Sequence, residues 1–237
     1  MALPKITTPT YELVVPSTNE KLKYRPFLVK EEKILLIAME SNESDEILRA
    51  VKTIVTECTF DKLDLGIMPM FDVEYIFLQI RSKSVGEISN LRLLCADDGE
   101  TYADVKIDLN DINVEVSEEH TNKVELTDEM GIIMAYPTID SFANTGITEI
   151  NSSNMLDVIC SCILQIYDKK GEEIFDAKDQ SKQELIDFIE QLNSKQFKDV
   201  QTFFETMPKL QHTVTVKNPK TEVENTVVLQ GLNDFFA

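Results

Sequence analysis

The sequence predicts an α+β protein in which helical segments alternate with small antiparallel β-hairpin regions. Three observations predict it. Apolar residues recur at helical spacing over 44–58, 70–84 and 181–207. Short β-prone runs bracket turn signals such as Asp97-Asp98-Gly99 and Asn218-Pro219. The 237 residues are 43% hydrophobic with only 7 Gly and 8 Pro, enough for a packed core and too few for a low-complexity linker.

The elements follow in order. Tyr11–Pro16 is β-prone and bounded by prolines, so it is an edge strand or extended arm, with Leu22–Phe27 as its partner. The first helix starts near Val29, with Glu31 and Glu32 in the turn where the helix dipole favours acids. Ile34–Met39 is apolar on nearly all sides, which predicts a deeply buried helix. Ser44 can cap the second helix, followed by Asp45 and Glu46. Its stripe is Ile47, Leu48, Val51, Ile54, Val55 and Cys58. A third helix spans Met70–Ser84 with Val73, Ile76, Phe77 and Ile80 on one face, and Gly86 suits its end.

Strands are expected at Leu91–Leu94 and Val105–Leu109 around the Asp97-Asp98-Gly99 turn. Ile112–Val116, Val124–Leu126 and Ile132–Ala135 continue a β-rich region to Tyr136-Pro137. Ser152 or Ser153 then caps a helix carrying Leu156, Ile159, Cys160, Ile163, Leu164 and Tyr167. Ser181 and Glu184 have capping-box spacing ahead of Leu185, Ile186, Phe188, Ile189 and Leu192. Ser194–Met207 is a further helix stopped by Pro208, and a hairpin of Val214–Val216 and Val223–Leu229 closes the chain.

This gives four regions: 1–87 an N-terminal arm and helices, 88–136 β-rich, 137–208 helical, and 209–237 a C-terminal hairpin. Leu109-Asn110-Asp111-Ile112 and Leu232-Asn233-Asp234-Phe235 share a pattern, each after a predicted hairpin. Two helical-then-β halves would explain it, and so would chance.

Charge narrows the function. Asp plus Glu number 42 and Lys plus Arg 23, a net −19. Nucleic-acid affinity comes largely from cations on phosphates, and the basic clusters here, Lys21–Arg25 and Lys169-Lys170, are short. Anionic membrane surfaces are disfavoured for the same reason. Acidity instead suits solubility and the steering of basic partners. Met1–Thr10 lacks the apolar core of a signal peptide, and no run approaches the roughly 20 apolar residues of a membrane span. A reducing cytosol with free thiols is the expectation.

The residues of catalysis are sparse. His120 sits in a polar turn and His212 begins a strand pattern, with no local nucleophile or acid beside either. Cys160 and Cys162 point to different faces of the expected helix. Cys95-Ala96-Asp97-Asp98-Gly99 resembles one knuckle of a zinc ribbon with the second cysteine replaced by Asp. The comparable place in the last hairpin, Lys217–Lys220, offers no ligand, so buried free thiols are expected rather than a metal site. Calcium-loop spacing and Gly-rich phosphate loops do not occur. No cofactor and no enzymatic activity are expected. Phe197, Phe203 and Phe204 fit a core, whereas Phe235 and Phe236 are either tucked into the last hairpin or presented as an anchor.

Three stretches carry a resemblance. They are Tyr24-Arg-Pro-Phe-Leu-Val-Lys-Glu-Glu-Lys-Ile-Leu-Leu-Ile-Ala-Met-Glu40, Asp72-Val-Glu-Tyr-Ile-Phe-Leu-Gln-Ile-Arg-Ser-Lys-Ser-Val-Gly-Glu87 and Phe203-Phe-Glu-Thr-Met-Pro-Lys-Leu210. Together they resemble the baseplate hub assembly family of T-even-like, contractile-tailed bacteriophages, most densely over 20–95 and 185–237. The resemblance implies a hub component or assembly factor that contacts other hub proteins in the host cytoplasm, with residence in the virion baseplate open. It brings no catalytic residues. A tail-assembly adaptor not specific to the hub, and a cell-wall hydrolase, are the competing readings. The candidate partner contacts are Arg25, Phe27, Arg81, Phe235 and Phe236. Arg25 and Arg81 fit either an ion pair or, at the end of the third helix, a cation on the helix dipole.

Overall fold

The computed structural model describes residues 6–41, 43–141 and 154–235. Helices and small antiparallel sheets alternate along the chain, as expected of the α+β class. The chain forms two compact units, neither continuous in sequence, which cut across the four sequence regions.

The first unit comprises residues 1–64, 71–115 and 209–237. Strands β1 (Tyr11–Val14) and β2 (Lys21–Tyr24) make the expected opening hairpin, with Leu13 opposite Leu22. Helices α1 (Val29–Ser41), α2 (Ser44–Cys58) and α3 (Met70–Val85) follow. In α2 the predicted stripe faces inward: Val51, Ile54, Val55 and Cys58 are buried and Ile47 and Leu48 half-buried. The helix begins at Ser44, with Glu43 in the capping position. Helix α3 is buried on more than the one face expected, since Phe71, Asp72, Leu78, Gln79 and Ser82 are also covered. Buried Asp72 answers its own burial by accepting from the amide of Ser17 at 3.1 Å and from the Ser17 hydroxyl.

Strands β3 (Ile88–Leu94) and β4 (Tyr102–Asp108) pair around the predicted turn. A 3₁₀ turn at Leu109–Asp111 leads into β5 (Asn113–Glu115), which joins the closing hairpin.

The second unit comprises residues 65–70 and 116–208. Strands β6 (Lys123–Glu125), β7 (Met130–Met134), β8 (Ile163–Asp168) and β9 (Glu173–Asp176) form an antiparallel sheet in chain order. Helices α4 (Met155–Ser161), α5 (Lys182–Glu190) and α6 (Ser194–Thr206) share its core with Val124, Ile132, Met134 and Ile166. The Ser181–Glu184 capping box forms as predicted, and Asn193 and Gln196 form a second one before α6.

The helix expected through Tyr167 is corrected here. Helix α4 ends at Ser161, and Ile163, Leu164 and Tyr167 lie in β8. The cause is a bulge. Met134 pairs with Ile163 and Ile133 with Gln165, which leaves Leu164 unpaired and exposed. The extra residue shifts the strand's parity, so Ile163 and Ile166 both face the core at a spacing of three, which imitates a helix. The Ser152 or Ser153 cap falls outside the described residues.

In the first unit, β10 (Lys209–Lys217) lies between β5 and β11 (Glu224–Gln230), and α7 (Gly231–Asp234) closes the chain. The two Leu-Asn-Asp segments occupy like places: each is a helical turn after a hairpin, with Leu109 and Ile112, and Leu232 and Phe235, buried.

Candidate docking surface

The segment Tyr24–Glu40 builds an anchor and then projects a helix from it. The backbone amide of Arg25 donates to the carbonyl of Cys58 at 2.9 Å, tying β2 to the end of α2. The Arg25 guanidinium donates to Glu31 Oε1 at 3.0 Å and to the Pro26 carbonyl at 3.0 Å. Glu31 Oε2 accepts from the Leu28 amide at 2.7 Å, at the start of α1 where a carboxylate also suits the helix dipole. Lys30 completes the group, 3.0 Å from Glu31 and 3.3 Å from Glu57. Arg25 is therefore an ion-pair partner within the first unit. Burial alone would raise the Glu31 carboxyl; its hydrogen bonds from Arg25, Leu28 and Lys30 outweigh that and hold it below the usual range.

The anchor fixes how α1 lies on α2. Glu31 and Ala38 are its buried residues and Leu35 is half-buried, so one narrow edge is covered. The expectation of a deeply buried helix is wrong for the rest. Ile34, Leu36, Ile37 and Met39 are 40%, 54%, 55% and 41% exposed, and Val29 is 79% exposed. A helix apolar all round reports that several sides want covering but not what covers them. The exposed face runs toward an acidic end, where Glu40, Glu43 and Glu46 all stand in solvent.

The other candidate contacts are Phe27, Phe235, Arg81 and Phe236. Phe27 is 8% exposed and Phe235 fully buried, so both rings serve the core in this conformation. The Phe27 amide donates to Ser84 Oγ of α3 at 2.9 Å, which ties this corner to a second helix. Arg81 is half-buried on α3, and Phe236 falls outside the described residues. The exposed aliphatic residues of α1 were not among the candidate contacts; their signal in the sequence is the unbroken apolar run Ile34–Met39.

His120 packs between aromatic rings. Its ring stacks on Tyr136 at 5.5 Å and lies 5.1 Å from Phe203. The Thr206 hydroxyl donates to the Thr202 carbonyl, so it accepts from His120 Nδ1–H at 3.0 Å. Burial lowers the imidazole's affinity for a proton. This is a packing role for a residue expected in a polar turn. All four cysteines are buried free thiols, and burial pushes Cys58 and Cys160 up to about 11 and Cys162 to about 12. Among the described residues, no three His, Cys, Asp or Glu side chains are grouped to hold a metal ion, and no helix is long and apolar enough to cross a membrane.

The family model described as T4 bacteriophage base plate protein matches residues 8–237. The chain belongs to that family. No curated protein and no solved structure matches it significantly. Phage baseplates are multiprotein assemblies, so membership implies contacts with other baseplate components. In this baseplate protein the ordered anchor and the uncovered face of α1 occupy one stretch of sequence, Tyr24–Glu40.

Proposed function

We propose that this baseplate protein is a component or assembly factor of the baseplate hub, acting by protein–protein contact and not by catalysis. The observation that carries the reading is the outward face of α1, aliphatic and solvent-exposed on a helix whose base is pinned by the Arg25–Glu31 pair. The same stretch is one of the three that carry the resemblance to hub assembly proteins.

Charge selects the occupant. Two copies of a chain carrying −19 would bring like charges together around an already acidic helix end. A hub protein with an apolar strip and a basic rim would match both the face and Glu40, Glu43 and Glu46. Such docking takes place in the host cytoplasm during assembly, and the protein either remains in the tail or leaves.

Co-purification from infected cells tests the reading. Tagged protein is expected to bring down hub proteins or hub intermediates. Its presence in neither hub intermediates nor virions would overturn it.

A further inference from the structure

Two hairpin turns in the first unit, of seven and six residues, begin with the same five-residue bend and meet. The β3–β4 turn starts at Cys95 and the β10–β11 turn at Asn218. In each, the amide of the fifth residue donates to the carbonyl of the first at 3.0 Å: Gly99 to Cys95, and Glu222 to Asn218. In each, that fifth residue has a positive φ, 66° at Gly99 and 62° at Glu222, the second an unusual choice for a residue with a Cβ. In each, the first amide reaches across the hairpin, Cys95 to the Thr101 carbonyl at 2.8 Å and Asn218 to the Val223 carbonyl at 2.9 Å.

Paired turns with side chains at the first and fourth positions are the device by which a zinc ribbon surrounds a metal with four ligands. The four positions here are Cys95, Asp98, Asn218 and Thr221. Only the first is a thiol. Asp98 is used within its own turn, accepting from the amides of Glu100 at 3.1 Å and Thr101 at 3.0 Å.

A different residue joins the turns. Asp97 Oδ1 accepts from Asn218 Nδ2 and from Asn225 Nδ2, both at 2.9 Å, and Oδ2 accepts from the Thr221 hydroxyl. The Asp97 amide donates back to Asn225 Oδ1 at 2.9 Å. Asn218 and Asn225 are buried, so their amides need acceptors within the fold; the carboxylate serves both, and the Val223 carbonyl also accepts from Asn225 Nδ2 at 3.2 Å. Asn218 Oδ1 in turn accepts from the amides of Lys220 at 2.8 Å and Thr221 at 3.2 Å, as the first thiolate of a metal knuckle does.

We propose that this pair of turns has the frame of a four-ligand metal site and is closed instead as an all-protein clasp, in which the Asp97 carboxylate cross-links the two hairpins as an ion would. The clasp is independent of the docking surface and of the hub reading.

The test uses the full chain and two variants. Wild type is expected to retain no zinc after purification and to keep its melting temperature in chelator. The triple variant Asp98→Cys, Asn218→Cys, Thr221→Cys, with Cys95 in place, is expected to bind one Co²⁺ with the visible spectrum of a tetrahedral thiolate site, and to gain melting temperature on adding Zn²⁺. Zinc held by wild type, or a folded triple variant that takes up no more Co²⁺ than wild type, overturns the proposal. If the triple variant does not fold, Asp97→Ala decides. It is expected to speed the labelling of Cys95 by a thiol reagent about tenfold or more, with Asp104→Ala on the exposed side of β4 unchanged as control. Equal labelling of Cys95 in Asp97→Ala and wild type overturns the clasp.

Discussion

At the scale of single residues, two carboxylates have opposite effects on stability. Glu31 is 1% exposed and bound by Arg25. Removing it takes the nearest carboxylate from the mostly covered Arg25 side chain and the acceptor from the Leu28 amide, and breaking a buried pair costs about 3–5 kcal/mol. Glu31→Ala is expected to lose about 3 kcal/mol in denaturant titration, while a joint apolar replacement of Arg25 and Glu31 loses much less. Because its folded carboxyl titrates below the unfolded one, its contribution is present above about pH 4.3 and disappears as acid protonates the folded form. Glu74 behaves the other way. Burial raises it to about 7, against the hydrogen bond it accepts from the Leu232 amide. The fold therefore favours its protonated form, and its contribution is full below about pH 4.3 and is lost as pH rises toward 7. Glu74→Gln is expected to flatten the stability profile across that window, by an amount on the order of 2–3 kcal/mol. An unchanged slope between pH 4.5 and 7.5 would contradict the assignment.

At the scale of elements, Gly131 shows how one strand pair depends on a missing side chain. It pairs with Tyr167 across β7 and β8, and a Cβ there would strike the Tyr167 ring and approach the Val124 carbonyl to 2.6 Å. Gly131→Ala is expected to cost about 2 kcal/mol or more, measured by thermal unfolding. Elements with strong local signals were legible in the sequence: the α2 stripe, the Ser181 capping box, and the Asp97-Asp98-Gly99 hairpin. Helix α4 and strand β8 were not, because the Leu164 bulge gives a strand the spacing of a helix. The anchor was half legible. Arg25 stood out as a cation in an acidic chain, but the burial of Glu31 depends on how α1 packs against α2, which spacing along the chain does not give. For α1, composition gave the apolarity and could not give the direction of burial. The exposed face makes its own prediction. Leu36→Glu with Ile37→Glu is expected to shift unfolding by no more than about 0.5 kcal/mol, whereas Ala38→Glu, on the covered edge, destabilises the chain clearly.

At the scale of the whole molecule, the chain has a ready core in each of two units and a surplus of negative charge outside them. That charge keeps the protein in solution while it carries an uncovered aliphatic helix, and it predicts that association with a basic-rimmed partner weakens as salt rises past the ~10 Å screening length of 0.1 M. On the proposed reading, this helix docks the protein onto the baseplate hub. The most direct measurement is quantitative affinity purification from infected cells, comparing wild type with the Leu36→Glu, Ile37→Glu chain. Wild type is expected to recover hub proteins and the folded variant to lose them. Equal recovery by both, or hub proteins missing from the wild-type eluate, would contradict that reading.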